Sequence, residues 1–500
     1  MVKNLVKLLA QAQKISGEKK EEEKKKDKDK ISETQHAMEI EGKTLRFTAK
    51  AGYMEIKDEE DKLKAKIFHV AYTKDGVKDK SKRPVTFAFN GGPGASSIWV
   101  QFGCMGPKRI KLTENGDPFP PPHKLEDNKY TWLEFTDLVF IDPVGTGLSR
   151  PAKEQKSEEF WGLNEDIECV GEFIRLYITK NERWPSPKFL AGESYGTTRA
   201  AGLSGYLQDT CDMDLNGLIL LSSALNFQNM IPMPGNDIVY VLSLPTCTAT
   251  AWYYKKLSAN LQEDLQTTLQ KVEKWAMSEY LLALAQGDYI SDEKKEEIAE
   301  KLSGFTGLSK KYILNSNIRI RNDRFSKELL RDENRTIGRL DTRYKGIDAD
   351  SAGETAEYDP SFFKGPFMTA INDYVRTKLK YKSELPYTSI SMEANKAWKW
   401  SKEGVNGFGY PNMAETLRQQ MCQNKYMGVL VGCGYYDLAT PYYSACYTMR
   451  HLGLDPSLRD NISLTYYESG HMMYYHLSSL KKLRDDVAEF VGKHTSYEKA

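Results

Sequence analysis

The chain has 500 residues, 40% of them apolar, enough for at least one large core and two or three domain-sized pieces, which excludes a single small binding module. Its 70 lysines and arginines against 69 aspartates and glutamates leave a formal net charge of +1, so no global basic field draws nucleic acid or an anionic membrane. No stretch approaches the roughly 18–20 consecutive apolar residues of a membrane-spanning helix, and the expectation is a soluble protein with neither membrane nor nucleic acid as partner.

The first twenty residues carry lysines at both ends, but their apolar part is interrupted by Lys7 and leads to no small-residue cleavage site. They are therefore not read as a secretory signal. Residues 18–35 are almost wholly charged and polar, and 1–35 is expected to be a tail outside the core. From about 43 to 74, TLRFTAKAGYMEI and LKAKIFHVAYT alternate apolar and polar residues around the charged turn DEED, which predicts antiparallel strands at a sheet edge.

Short apolar runs follow: VTFAF at 85–89, DLVFID at 137–142, KFLAG at 188–192, LNGLILLSSA at 215–224 and YMGVLVGCG at 426–434. Such runs suit strands of a parallel sheet buried on both faces. Between them lie helical patterns, as in 164–181, where Ile167, Val170, Ile174 and Tyr177 recur at spacings of three and four. The alternation predicts an α/β fold, with 36–225 and 386–500 forming the sheet domain. The stretch 226–385 breaks the rhythm with amphipathic, charge-laced helices and is expected to be a helical cap inserted into that domain.

Gly192-Glu193-Ser194-Tyr195-Gly196 follows the run KFLA and opens a helical stretch, which is the strand, turn and helix context of a nucleophile elbow. The turn must lift the serine hydroxyl above the sheet, and glycines remove side chains that would collide there. The bland alternative is a serine that caps the helix. In α/β-hydrolases the acid and then the histidine follow the nucleophile along the chain. Of the seven histidines only His451, His471, His476 and His494 meet that order, and His471 sits in a loop after the strand-like ISLTYY. Asp437, after the apolar run ending at Tyr436, is the candidate acid, with helix capping as its alternative reading. Asn90-Gly91-Gly92-Pro93-Gly94 follows the strand VTFAF, so the N–H groups of Gly92 and Tyr195 are assigned to the oxyanion hole. A nucleotide P-loop is the competing reading, but the loop lacks the Gly-Lys-Ser/Thr ending.

NGGPGASS, DPVGTGLS, GESYG, the Asp437 segment and GHM at 470–472 resemble, in the same order, the signature segments of the serine carboxypeptidases. The resemblance spans roughly 43–225 and 386–500 and implies an α/β-hydrolase fold with an inserted cap, a mostly parallel sheet flanked by helices, and a triad of Ser194, Asp437 and His471. It further implies peptide substrates whose terminal carboxylate is held by Asn90 and Glu193, and acidic working conditions. A protonated Glu193 would donate to a carboxylate, whereas an ionised one would repel it.

The chain departs from the family at Ala88, where a tryptophan is usual, and at Cys104, where a second glutamate is usual. Both changes bear on how strictly a terminal carboxylate is required. Ala95 replaces a cysteine that is often disulfide-bonded in secreted members. The seven cysteines show no CxxC spacing, so no zinc site or disulfide framework is expected, and a reduced, cytoplasmic setting is. No metal or organic cofactor is implied, and no oligomeric state. The activity expected is a serine carboxypeptidase. An esterase or acyltransferase using the same acyl-enzyme, or an inactive binding homologue, are the alternatives.

Overall fold

The computed structural model describes residues 31–400 and 410–495. Most of the expected tail, 1–30, lies outside the described residues. Its last residues do not behave as a tail: Ser32–Ile40 forms strand β1, paired antiparallel with β2 (Lys43–Lys57) from Ser32 opposite Ala51 to Ile40 opposite Lys43. The polar composition misleads here because one face of this edge strand is exposed, so backbone pairing holds it rather than burial. β3 (Leu63–Lys74) completes an antiparallel meander.

The buried runs form β4 (Val85–Phe89), β5 (Asp137–Ile141), β6 (Lys188–Glu193), β7 (Gly217–Leu221) and β8 (Gly428–Gly434), and β9 (Ile462–Tyr467) closes the far edge. The order across the sheet is β1-β2-β3-β5-β4-β6-β7-β8-β9, with a two-residue strand, Arg150–Pro151, paired to β3. All pairings from β5 to β9 are parallel. The architecture is the expected α/β-hydrolase sheet.

Strand alternation sorts side chains between two cores. Phe87, Leu190, Leu218 and Leu220 face the layer of α1 (Leu163–Lys180) and α2 (Tyr195–Cys211). Ala88, Phe189, Ile219 and Leu221 face the other side. A third core belongs to the inserted helices, including α3 (Ile238–Tyr253), α4 (Leu265–Trp275) and α5 (Asp292–Thr306).

The insertion is not one helical unit throughout 226–385. In α6 (Gly365–Thr377), Phe367, Ala370, Ile371 and Tyr374 recur at helical spacing and pack into the sheet core, with Phe367 against Trp99 at 6.2 Å and Tyr374 against Phe102 at 5.6 Å between ring centroids. Amphipathic periodicity announces that a helix has a buried face but not which core receives it. The helices that follow include α7 (Ala414–Gln423) and α8 (Tyr442–Arg450), before the chain ends its described part in α9 (Leu477–Lys493).

Candidate active site

β4 pairs on one side with β5 and on the other with β6, so the connections leaving its neighbourhood diverge. At such a switch point, loops from the carboxyl ends of adjacent strands open a crevice. The Asn90 loop leaves β4 and Ser194 leaves β6, side by side.

Ser194 has φ 60° and ψ −129°, an unfavourable backbone for a side chain with a Cβ, and it is held by its N–H donating to Leu221 O at 3.0 Å. It is partly exposed, whereas its neighbours on both sides are buried. A Cβ on Gly192 would collide with Gly196 O, and one on Gly91 would collide with the Tyr195 N–H. These two positions therefore need glycine: at Gly91 the β4 loop passes the elbow in backbone contact, and at Gly192 the strand meets the first turn of α2. Gly92 takes φ +102°. Among the described residues its N–H has no acceptor. The Tyr195 N–H, at the start of α2, has no intrahelical partner either. Both donors assigned from sequence are thus unspent beside the serine.

Asp437 follows β8 and His471 follows β9. His471 Nδ1 and Asp437 Oδ2 are 2.7 Å apart, both buried. The other lone pairs of Asp437 are also filled: Oδ1 accepts from Ala439 N at 2.8 Å and Thr440 N at 2.9 Å, and Oδ2 accepts from Thr440 Oγ1 at 2.6 Å. Burial opposes protonation of His471, but the Asp437 carboxylate, aided by Glu193, outweighs it and holds the imidazole above its ordinary pKa. No hydrogen bond joins Ser194 Oγ to His471 among the described residues, an arrangement common in free hydrolases whose contacts tighten around substrate.

Glu193, the last residue of β6, is buried below the serine. Asn90 Nδ2 donates to its Oε1 at 2.9 Å, and the Tyr474 hydroxyl donates to its Oε2. Asn90 is itself fixed by Val100 N, which donates to Asn90 Oδ1 at 3.1 Å. Burial pushes the Glu193 carboxyl above its ordinary pKa, against the pull of His471 and the two donors. Beneath the elbow, Arg199 Nε donates to Asp166 Oδ2 at 2.8 Å and Arg199 Nη1 to Asn90 O at 2.7 Å. One buried guanidinium therefore ties the Asn90 loop to α1.

All seven residues singled out from the sequence lie around this crevice. Sequence reasoning missed Tyr474, Thr440 and the Arg199–Asp166 pair. Tyr474 stands three residues after His471 in Met472-Met473-Tyr474-Tyr475, where composition signals only an apolar run. It also missed a brace from the insertion. Leu340 O accepts from His471 N at 2.6 Å, Asp341 Oδ2 from Gly470 N at 2.9 Å, and Arg339 O from Leu438 N at 3.0 Å. The expected cap thus supports the loops of both the candidate acid and the candidate base.

Among the described residues no helix is long and apolar enough to cross a membrane, and no group of histidine, cysteine and carboxylate side chains is placed to hold a metal ion. The pheromone-processing carboxypeptidase KEX1 of Yarrowia lipolytica is 30% identical over 146 residues, 28% of this chain and 22% of that protein. The lysosomal protective protein of Mus musculus is 27% identical over 226 residues, 44% of this chain and 40% of that protein. The matches thus span less than half the length of these curated relatives.

Among solved structures, the prohormone-processing carboxypeptidase KEX1(Δ)p of Saccharomyces cerevisiae has a TM-score of 0.54 at 15% identity, covering 89% of this chain and 91% of its own, a likeness of fold. The cytoplasmic setting expected from the cysteines finds no support in these relatives, one of which is named for the lysosome. The family described as serine carboxypeptidase matches residues 39–478, nearly the whole described chain, and the protein belongs to that family.

Proposed function

We propose that this protein is a serine-type carboxypeptidase that removes residues from the C-terminus of peptides through an acyl-enzyme on Ser194. The observation that carries this reading is the proximity of two devices: a histidine–aspartate pair beside the elbow, and a buried Asn90–Glu193 pair whose glutamate immediately precedes the nucleophile. The first suits acyl transfer and the second suits a terminal carboxylate.

In this reaction Ser194 Oγ attacks the carbonyl carbon of the last peptide bond while His471 Nε2 takes its proton. The oxyanion is held by the N–H groups of Gly92 and Tyr195. The tetrahedral intermediate collapses, the C–N bond breaks, and His471 returns the proton to the departing amino group. Water then repeats the sequence on the ester, regenerating Ser194 and releasing the shortened peptide. Asp437 keeps the imidazole in the required tautomer throughout. Asn90 and a protonated Glu193 bind the substrate's carboxylate, which places the last peptide bond over the serine.

The peptide substrates are part of this proposal, as is the reducing compartment suggested by seven cysteines that are all free thiols. Mass-spectrometric sequencing of products from a mixed peptide pool tests the activity. Stepwise loss of C-terminal residues is expected, absent in Ser194→Ala, with a marked preference for free-acid over C-terminally amidated peptides. Equal cleavage of the two would overturn the carboxypeptidase reading, and a fluorophosphonate that labels Ser194 without any trimming would move it to an esterase.

A further inference from the structure

Tyr474 is fully buried, and its ring lies so close to Gly103 that a Cβ there would collide with it. Its hydroxyl donates to Glu193 Oε2 while Asn90 Nδ2 donates to Oε1 at 2.9 Å. A carboxyl group has two acceptor positions on each oxygen. One position on each oxygen is therefore occupied from the protein side, which fixes the carboxyl plane and leaves the remaining positions for a proton shared with a substrate carboxylate.

Resting on the carboxypeptidase reading, we propose that Tyr474 is a positioning residue: it clamps Glu193 and sets the upper pH at which a free C-terminal carboxylate is recognised. The phenol donates to the ionised carboxylate and so stabilises the form that repels substrate. It buys a fixed geometry at the expense of a narrower pH range.

The groups that face Glu193 are few. His471 and Asp437 reach it from the loops after β9 and β8, Cys104 from the segment beyond the Asn90 loop, and Tyr475 from beside Tyr474. Burial pushes the Cys104 thiol and the Tyr475 phenol far above their ordinary values, so both stay neutral under working conditions. The charges of His471 and Asp437 enter the cleavage of every substrate alike. Dividing kcat/KM for a free-acid peptide by that for its amide therefore cancels them and isolates Glu193.

The experiment measures this ratio against pH for the wild type, Tyr474→Phe, Glu193→Gln and the double variant, with thermal unfolding of each. In the wild type the ratio declines as Glu193 ionises. In Tyr474→Phe, which keeps the ring against Gly103, the decline moves to higher pH, so that about two pH units above the wild-type midpoint the ratio is about tenfold larger. In Glu193→Gln the decline disappears, and adding Tyr474→Phe changes nothing further. Replacement of Tyr474 by 4-aminophenylalanine, which restores a donor on the same ring, returns the midpoint toward the wild type.

A purely structural role would lower kcat/KM for both substrates without moving the midpoint, and a folded Tyr474→Phe with an unmoved midpoint overturns the inference. A wild type with no free-acid preference at any pH instead removes the carboxypeptidase reading itself, and this inference with it.

Discussion

Asp437 has no spare acceptor capacity: two backbone N–H groups, a threonine hydroxyl and an imidazole fill its lone pairs. In the proposed reaction Asp437 accepts from His471 Nδ1–H, which leaves Nε2 free to take the serine proton. Replacing Asp437 by asparagine keeps the shape but removes the charge, and kcat is expected to fall roughly ten-thousand-fold. The sign of the accompanying pH effect follows from the forces on His471. Burial lowers its pKa and Asp437 raises it, so the wild-type rate on an amidated or ester substrate rises with pH through a midpoint above the ordinary imidazole value of 6.5. In Asp437→Asn burial acts with less opposition, and the residual activity should show a midpoint lower than the wild type. Stopped assays across pH on one ester substrate check both statements, and an unchanged midpoint would contradict the assignment of the acid.

At the scale of elements, the unexpected participant is the stretch Arg339–Arg343. It comes from the insertion, yet its backbone accepts from Leu438 N and His471 N, and Thr342 N donates to Tyr436 O at 3.0 Å. Asp341 accepts from Gly470 N and from the Arg343 guanidinium, whose Nη1 donates to Glu468 O at 2.7 Å. Asp341→Ala is expected to loosen the His471 loop and lower kcat about a hundredfold. The fluorophosphonate labelling rate should fall in parallel, with little change in the temperature of global unfolding. If labelling stays at the wild-type rate, the brace is not what orients the histidine. This contact was beyond sequence reasoning because 339–343 lies far along the chain from either loop, 129 residues separating Asp341 from Gly470, and carries no motif of its own.

For the molecule as a whole, the layers are joined by groups whose protonation folding controls. His69 lies in β3 and packs edge-on to Phe173 and Tyr177 of α1 at 5.1 and 5.9 Å between ring centroids. Burial drives its pKa down to about 4 from 6.5. The unfolded chain therefore binds a proton between these values that the folded chain refuses. Stability is full above pH 6.5 and is lost as pH falls toward 4, by about 3 kcal/mol from this residue alone. Thermal unfolding at pH 7 and pH 4.5 should show a smaller acid loss in His69→Leu than in the wild type; identical losses would mean that His69 is not the group responsible. An enzyme expected to work in acid carries in His69 a limit on how acidic that setting can be.

How much of this was legible in advance depends on the range of the interaction. The buried runs that became β4 to β8, the elbow at Ser194 and the glycine loop after β4 are local: apolar continuity, a tight turn and clustered glycines are written in consecutive residues. The candidate triad could be named because chain order and strand-end placement restrict the histidine to few positions. Local composition also misled, since the polar segment ending at 35 already contributes the start of β1, whose pairing is made by backbone atoms that composition does not describe. The sequence by itself determined the strand-turn-helix devices and the residue types they present. Only the tertiary structure decided that Tyr474 and Asn90 meet on one carboxyl, that the insertion braces the acid and base loops, and that α6 joins the sheet core. Those facts depend on which surfaces come together in space, and apolar periodicity specifies that a face is buried without specifying against what.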